Sequence, residues 1–164
     1  VKFPAFRSVE DAYAMPHFLG CCKNAVAISE YLYYYVQRAN STEHNGFNID
    51  RLKAIDCNVS LMDFIKTNYP HYYSKVADSK LKGIFALIIR IHTEGKKNKY
   101  KDILISLENQ LIDEFNILKE DYYDLEFVKK IDKYLRNPNP WLRQWKKECL
   151  NKKIKSFMKY ILIK

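Results

Sequence analysis

Arg38 and His44 are the two residues of this sequence whose types and spacing could support catalysis. Histidine exchanges protons near neutral pH and arginine can hold a phosphate, so together they could cleave RNA. The pair is expected to span the end of a helix and the loop that follows. The other histidines, His17, His71 and His92, are isolated from one another and from paired carboxylates. We therefore predict no hydrolytic activity, with RNA cleavage through Arg38 and His44 as the alternative.

The four cysteines, Cys21, Cys22, Cys57 and Cys149, form no metal-binding pattern. A structural zinc site takes its ligands in close pairs, and no C-x-x-C pair occurs here. Adjacent cysteines cannot easily bond to each other, so we expect reduced thiols buried in the helices of an intracellular protein. The sequence also lacks a P-loop, a Rossmann turn and a nucleophile elbow. We predict neither a metal nor a cofactor.

Positive charge is the strongest chemical signal in the chain. Lys and Arg number 28 against 19 Asp and Glu, and the net charge of +9 favours a polyanionic partner such as nucleic acid or an anionic membrane. A solvated surface would explain any one basic cluster, but several together predict a directed basic surface. Three clusters occur: Arg90, Lys96, Lys97, Lys99 and Lys101; Lys129, Lys130, Lys133 and Arg136; and Arg143, Lys146, Lys147, Lys152, Lys153 and Lys155.

The composition predicts that helices position these residues. Apolar residues make up 48% of the chain, while Gly and Pro number only 4 and 5. An all-β protein or a nucleotide-binding α/β protein needs more glycine turns, so the predicted fold class is all-α. No apolar run approaches the roughly 20 residues of a membrane span, and no signal peptide is visible. Any membrane contact is therefore expected to be peripheral.

Helical spacing of apolar residues predicts the elements of the first half. A first helix is expected to begin after Ser8 and to end at Pro16, followed by a longer helix over residues 18–38. A short helix is predicted from Asp50 through Ile55, and another opens at Asn58 or Ser60 and stops before Pro70. The run from Leu81 to Ile91 is apolar on nearly every side, which predicts a central, buried helix.

The second half is predicted to hold helices at 100–118, 122–135, 141–150 and 154–163. Trp141 and Trp145 share one helix face, which indicates core packing, with base stacking or membrane insertion as alternatives. The polar, basic segment 93–101 divides the chain into an expected lobe 1–92 and a second lobe 102–164, that is, two small helical bundles joined by a basic linker. The chain ends within a helical pattern, as it would inside a longer parent protein.

Several short motifs follow one another in the middle of the chain. The run Leu61-Met62-Asp63-Phe64-Ile65-Lys66-Thr67 precedes Pro70, and Leu81-Lys82-Gly83-Ile84 opens the apolar helix. An acidic-plus-glycine turn and a basic run follow in Glu94-Gly95-Lys96-Lys97-Asn98-Lys99. With an insertion around 40–58, this order resembles the amino-terminal domain of influenza matrix proteins. The chain thus resembles an orthomyxovirus matrix protein, diverged from influenza and thogotovirus-like.

This resemblance implies two helical bundles and a protein that self-associates on the inner face of a viral envelope. Its implied partners are a second copy of itself, an anionic membrane surface and viral ribonucleoprotein or RNA, in the virion and in the cytoplasm and nucleus of the infected cell. The basic run of the family corresponds to Lys96, Lys97, Lys99 and Lys101. Its second basic motif corresponds to 128–136, where Asp132 and Tyr134 dilute the charge.

Two other functions compete with the matrix interpretation. An arginine and a histidine at the spacing of Arg38 and His44 also occur in HEPN ribonucleases, which are small helical proteins. A general nucleic-acid-binding helical domain is the other alternative, since its basic surface would look the same in sequence.

Overall fold

The computed structural model describes residues 10–34, 36, 46–94, 97–118 and 124–162, without the side chains of Leu118 and of residues 152–162. Within these ranges the chain forms six α-helices and two short 3₁₀ helices, and no strand. The predicted all-α fold class is confirmed. The α-helices are α1 (Glu10–Cys21), α2 (Lys53–Asn68), α3 (Ser79–Thr93), α4 (Lys101–Leu118), α5 (Leu125–Arg136) and α6 (Pro138–Leu162), and the 3₁₀ helices are Ile49–Leu52 and Pro70–Lys75.

Helix α3 lies at the centre of the molecule, as its sequence predicted. It packs against α2, α4 and α6. Its approach to α2 is close at Gly83, where a Cβ atom would lie 2.3 Å from Nδ2 of Asn58. Apolar side chains point from α3 in almost every direction, so this helix requires neighbours on several sides. Its buried residues are Leu81, Ile84, Phe85, Leu87, Ile88, Ile89 and Ile91.

An aromatic cluster joins α3 to the last two helices. The ring centroid of Phe85 lies 5.8 Å from that of Phe127, 5.3 Å from that of Tyr134 and 5.5 Å from that of Trp141. These edge-to-face contacts connect α3 with both α5 and α6. Trp141 stacks on Trp145 at 6.4 Å, and both tryptophans pack against the core. The tryptophan pair is therefore part of the core packing.

One hydrophobic core extends across the segment that the sequence suggested as a linker. Residues before it, such as Phe47 and Ile91, and residues after it, such as Leu107, Tyr134 and Leu142, belong to the same buried cluster. Helices α3 and α4, which flank the segment, pack against each other. The expectation of two separate bundles, 1–92 and 102–164, gains no support from this shared core.

Helix α1 and the residues after it differ from their prediction. Pro16 lies inside α1 and does not end it. The ring centroids of His17 and Phe64 are 4.5 Å apart, and Gly20 also sits against Phe64, so packing on α2 holds the helix together past the proline. Residues 22–34, predicted to be helical, are not helical and are exposed. Their apolar side chains have the spacing of a helix but no neighbouring element to bury them.

The carboxyl-terminal region also differs from its prediction. Two helices were expected, at 141–150 and 154–163, but α6 runs without a break from Pro138 to Leu162. The residues between the two expected helices are polar, yet they include neither proline nor glycine, so nothing there stops the helix. Pro138 and Pro140 occupy the first turn of α6, where a missing N–H group is tolerated.

Candidate functional site

The turn between α3 and α4 presents three lysines of the first basic cluster. Lys97 and Lys99 lie in this turn and Lys101 is the first residue of α4, and all three are exposed. The turn is fixed to the core through Tyr100, whose ring centroid lies 4.8 Å from that of the buried Phe47. The ammonium group of Lys99 lies 5.2 Å from the centre of the Tyr100 ring. The lysines thus extend into solvent from a backbone that packing holds in place.

Arg90 was predicted to belong to the same cluster, but its side chain forms an ion pair within the fold. Its Nε donates a hydrogen bond to Oε1 of Glu94 at 2.8 Å, and its side chain is 32% exposed. The other carboxylate oxygen of Glu94 accepts a hydrogen bond from the backbone N–H of Phe47. Arg90 and Glu94 therefore hold the segment that carries Phe47 against the end of α3, and Arg90 adds less to the basic surface than the lysines do.

A small polar network lies beneath this turn. The hydroxyl of Tyr134 donates to Oε1 of Glu108 at 2.7 Å, and Nε2 of His92 lies 3.4 Å from that hydroxyl and 3.8 Å from Glu108 Oε1. Burial lowers the pKa of His92, and the nearby charges of Lys97 and Lys146 lower it further, while Glu108 acts in the opposite direction. Burial, followed by Glu108, raises the pKa of Tyr134.

The network shows which basic residues the fold brings together. Lys97 closely follows the end of α3. Lys146 lies in α6 next to Trp145, which stacks on Trp141, and the ring centroid of Trp141 lies 5.6 Å from that of Tyr134, which contacts His92 near the end of α3. Both lysines therefore lie toward the same end of the molecule. Packing therefore joins one member of the third cluster to the first. We call the four exposed lysines at this end, Lys97, Lys99, Lys101 and Lys146, the junction surface.

The second predicted cluster is spread along α5. Lys82, near the start of α3, lies 5.4 Å from the ring of Phe127 at the start of α5, whereas His92, near the end of α3, contacts Tyr134 near the end of α5. The two helices therefore run in the same direction. Lys133 and Arg136 lie toward the junction surface, and Lys129 and Lys130 lie toward the other end.

Two members of that second cluster are paired within their own helix. Lys129 lies 3.2 Å from Glu126, and Arg136 lies 2.8 Å from Asp132. Ion pairs this exposed contribute little to stability, but each carboxylate offsets the positive charge beside it. Lys130 and Lys133 are also exposed. The cluster is thus a weaker contributor to the basic surface than its sequence suggested.

The start of α5 has an acidic cap. Asp124 accepts a hydrogen bond from the backbone N–H of Phe127 at 3.0 Å, and Lys82 lies 3.6 Å from its carboxylate. The hydrogen bond, and after it the charges of Lys82 and Lys130, lower the pKa of Asp124. This cap fixes the first turn of α5, from which the cluster at 129–136 extends.

Several predicted residues lie outside the described part of the chain. These are Arg38 and His44 of the catalytic alternative, Lys96, and the side chains of Lys152, Lys153 and Lys155. In the described part, no group of three or more His, Cys, Asp or Glu side chains could hold a metal ion. Cys57 is buried and Cys149 partly buried, but Cys21 and Cys22 are exposed, so the expectation that all four thiols are buried was wrong. The helix ends at Cys21, so no continuing helix buries the thiols of Cys21 and Cys22.

The sequence analysis missed a groove between α2 and α4 of about 660 Å³. Its floor is formed by apolar residues of the preceding 3₁₀ helix, of α2 and of α4, namely Leu52, Ile55, Ile103 and Leu107. Carboxylates stand at its edges: Asp50 and Asp56 on the α2 side and Asp102 on the α4 side. Lys53 lies 3.3 Å from Asp56. We call this feature the acidic groove, and only the packing of α2 near α4 creates it, so no local pattern could have revealed it.

Among the described residues, none of the helices combines the length and the apolar character that crossing a membrane requires. Comparison of the chain with protein-family models, curated proteins and solved structures finds no match.

Proposed function

We propose that this protein is an assembly module that binds an anionic membrane through the junction surface, the function expected of an orthomyxovirus matrix protein. The observation that supports this proposal is the grouping of Lys97, Lys99, Lys101 and Lys146 at one end of the molecule. Three of them extend from a turn that Tyr100 anchors to the core. Their ammonium groups can therefore meet a planar array of lipid phosphates without a change of fold.

The expected strength of this contact explains why assembly belongs to the proposal. A basic residue near an anionic membrane contributes about 1 kcal/mol. The four lysines together contribute roughly 4 kcal/mol, which corresponds to a dissociation constant of about a millimolar. One molecule would then bind only weakly. Several copies joined together bind much more tightly, because each neighbour makes the next membrane contact effectively intramolecular.

The position of the tryptophans favours a membrane over single-stranded RNA as the partner. Proteins that bind single strands combine positive charge with aromatic rings on which bases stack. Trp141 and Trp145 pack against the core and so do not provide such a platform. Under this proposal the protein acts on the inner face of an envelope, and contact with viral ribonucleoprotein is a further expectation from the resemblance.

Vesicle flotation tests the proposal. Wild-type protein should float with vesicles that contain phosphatidylserine, should not float with purely zwitterionic vesicles, and should dissociate as salt is raised. The triple variant Lys97→Glu, Lys99→Glu, Lys101→Glu should weaken binding on the order of a hundredfold or more. A matched control, Lys23→Glu, Lys66→Glu, Lys75→Glu, has the same change in net charge at exposed positions elsewhere and should retain most of the binding.

Three outcomes would contradict the membrane proposal. Binding that ignores lipid charge would remove its electrostatic basis, and equal loss in both triple variants would show that only net charge matters. Binding to RNA but not to vesicles would favour the nucleic-acid-binding alternative. RNA turnover that disappears in His44→Ala, with helical content unchanged, would instead support the ribonuclease alternative.

A further inference from the structure

Helix α6 carries an exposed apolar side chain on the side opposite its core contacts. Trp141 and Trp145 face the core from its first turns. Leu150 comes nine positions after Trp141, which is about 180° round the helix. It comes five positions after Trp145, which is about 140° round the helix. Its side chain is 59% exposed. Leu150 therefore lies on the side of α6 that is turned away from the core.

The sequence after Leu150 continues this side. The backbone stays helical to Leu162, and the sequence places Ile154, Phe157, Met158 and Ile161 at intervals of three or four positions. By helical spacing these positions fall on the same side of α6 as Leu150. Exposed lysines accompany the stripe, with Lys146 one turn before Leu150 and Lys147 beside it. By its sequence, the second half of α6 is thus basic and amphipathic.

The acidic groove has the complementary character. It offers an apolar floor, and among the described residues it is lined by three carboxylates, Asp50, Asp56 and Asp102, and by the single cation Lys53, which pairs with Asp56 and leaves the groove net negative. An amphipathic helix laid along such a groove would place its apolar side on the floor and its lysines against the carboxylates. Positive charge exceeds negative by 9 over the whole chain, so a surface edged with carboxylates is a natural partner for a basic segment of the same protein.

We propose that the acidic groove of one molecule binds the second half of α6, from Lys147 onward, of another copy. Among the described residues, none from α6 lines the groove of its own molecule, and α6 packs instead against α3 and α5, so another copy supplies the helix. Groove and helix are different surfaces, so each contact leaves one groove and one helix unused. Such head-to-tail contacts build an open chain of molecules, not a closed dimer.

This contact deepens the proposed assembly function and rests on it only in requiring that copies associate. It leaves Lys97, Lys99 and Lys101 uncovered, so a chain of molecules would present a repeated set of lysines to a membrane. Association through the groove and attachment through the junction surface can therefore be tested separately.

Two variants of the full chain remove one side of the contact each. The groove variant, Asp50→Lys with Asp102→Lys, reverses the charge of the edges, and the helix variant, Lys147→Glu with Leu150→Asp, removes a charge match and the exposed apolar side chain. All four residues are exposed, so the fold should persist. A control variant, Glu30→Lys with Asp63→Lys, has the net charge of the groove variant but alters exposed positions outside the groove lining.

Sedimentation equilibrium over a range of concentrations measures the outcome. Wild type and control should form concentration-dependent chains, and each of the two variants alone should associate at least tenfold more weakly. An equimolar mixture of the two variants should form a one-to-one dimer, because the intact groove of one meets the intact helix of the other. The mixture should stop at the dimer, since its remaining groove and helix are both altered.

Each of the following results would overturn the inference: a strictly monomeric wild type, loss of association in the control, association of either variant at wild-type strength, or no dimer in a mixture whose components are folded by circular dichroism. Vesicle flotation of the same proteins separates this inference from the membrane proposal. A wild type that associates but does not float contradicts only the membrane function. A wild type that floats but stays monomeric contradicts the groove contact and the coupling of assembly to membrane binding, but not the contact of the lysines with the membrane.

Discussion

Helix α3 and the segment 22–34 have a similar spacing of apolar residues but different structures. Both are rich in apolar residues at helical spacing, and both were predicted to be helices. α3 is helical throughout and buries Leu81, Ile84, Phe85 and four further residues. In contrast, 22–34 is exposed and not helical, and the side chain of Tyr31 is 99% accessible to solvent.

The difference shows that apolar periodicity is necessary for a buried helix and not sufficient. Most of the stability of a helix in a protein comes from packing of its apolar face. α3 has α2, α4, α5 and α6 around it, as the ring contacts of Phe85 show. The segment 22–34 has the pattern, but its side chains remain exposed.

The largest expected effect is a direct test of this contrast. Phe85→Ala removes the ring that joins α3 to α5 and α6, and it should lower the free energy of unfolding by about 3–5 kcal/mol. Tyr31→Ala, the matched truncation in the exposed segment, should change it by less than about 0.5 kcal/mol. Urea denaturation followed by circular dichroism measures both. A cost below about 1 kcal/mol for Phe85→Ala would mean that α3 is not the centre of the core.

A smaller effect should sharpen the comparison within α3 itself. Gly83 faces Asn58 of α2 so closely that a larger side chain must displace it. Gly83→Leu should therefore destabilise the protein by about 1–3 kcal/mol through overpacking. Ala86→Leu adds a similar side chain at the one exposed position between Leu81 and Ile89 and should stay within about 0.5 kcal/mol of wild type. Equal effects of the two substitutions in denaturant titrations would contradict a close α2–α3 contact.

The smallest effect concerns pH at the end of α3. The pKa of His92 is lower in the folded protein than its ordinary value, chiefly through burial, so the unfolded chain binds a proton first as pH falls. Stability from this residue is complete above the unfolded pKa, near 6.5, and is lost as pH falls toward the folded pKa. Lys97, Glu108, Tyr134 and Lys146 surround it.

The melting temperature of the wild type should therefore fall between pH 7.5 and pH 5.5 by more than that of His92→Gln. His71→Gln, at an exposed position, serves as the control and should follow the wild type. If the melting temperature of His92→Gln falls as much as that of the wild type, the conclusion that His92 is buried and neutral is wrong.

Sequence reasoning succeeded where a single element contains its own signal. The helix from Leu81 to Ile91 is apolar on nearly all sides, so its central position could be read without knowing its neighbours. The role of Arg90 was also accessible, because Glu94 follows it by four positions and such pairs meet on a helix. The continuous α6 could have been predicted from the lack of a helix breaker between 150 and 154.

The features that depend on distant residues could not be read in this way. Asp50 and Asp102 lie far apart in the sequence, and the packing of α2 and α4 on α3 places them on one groove. Lys97 and Lys146 meet near His92 for the same reason. The sequence showed the charges, and the tertiary structure decided which of them act together.

The stacked pair Trp141 and Trp145 has an optical consequence. These are the two tryptophans of the chain, so indole fluorescence reports on the start of α6 alone. One unlabelled sample therefore shows when α6 leaves the core, without an introduced probe.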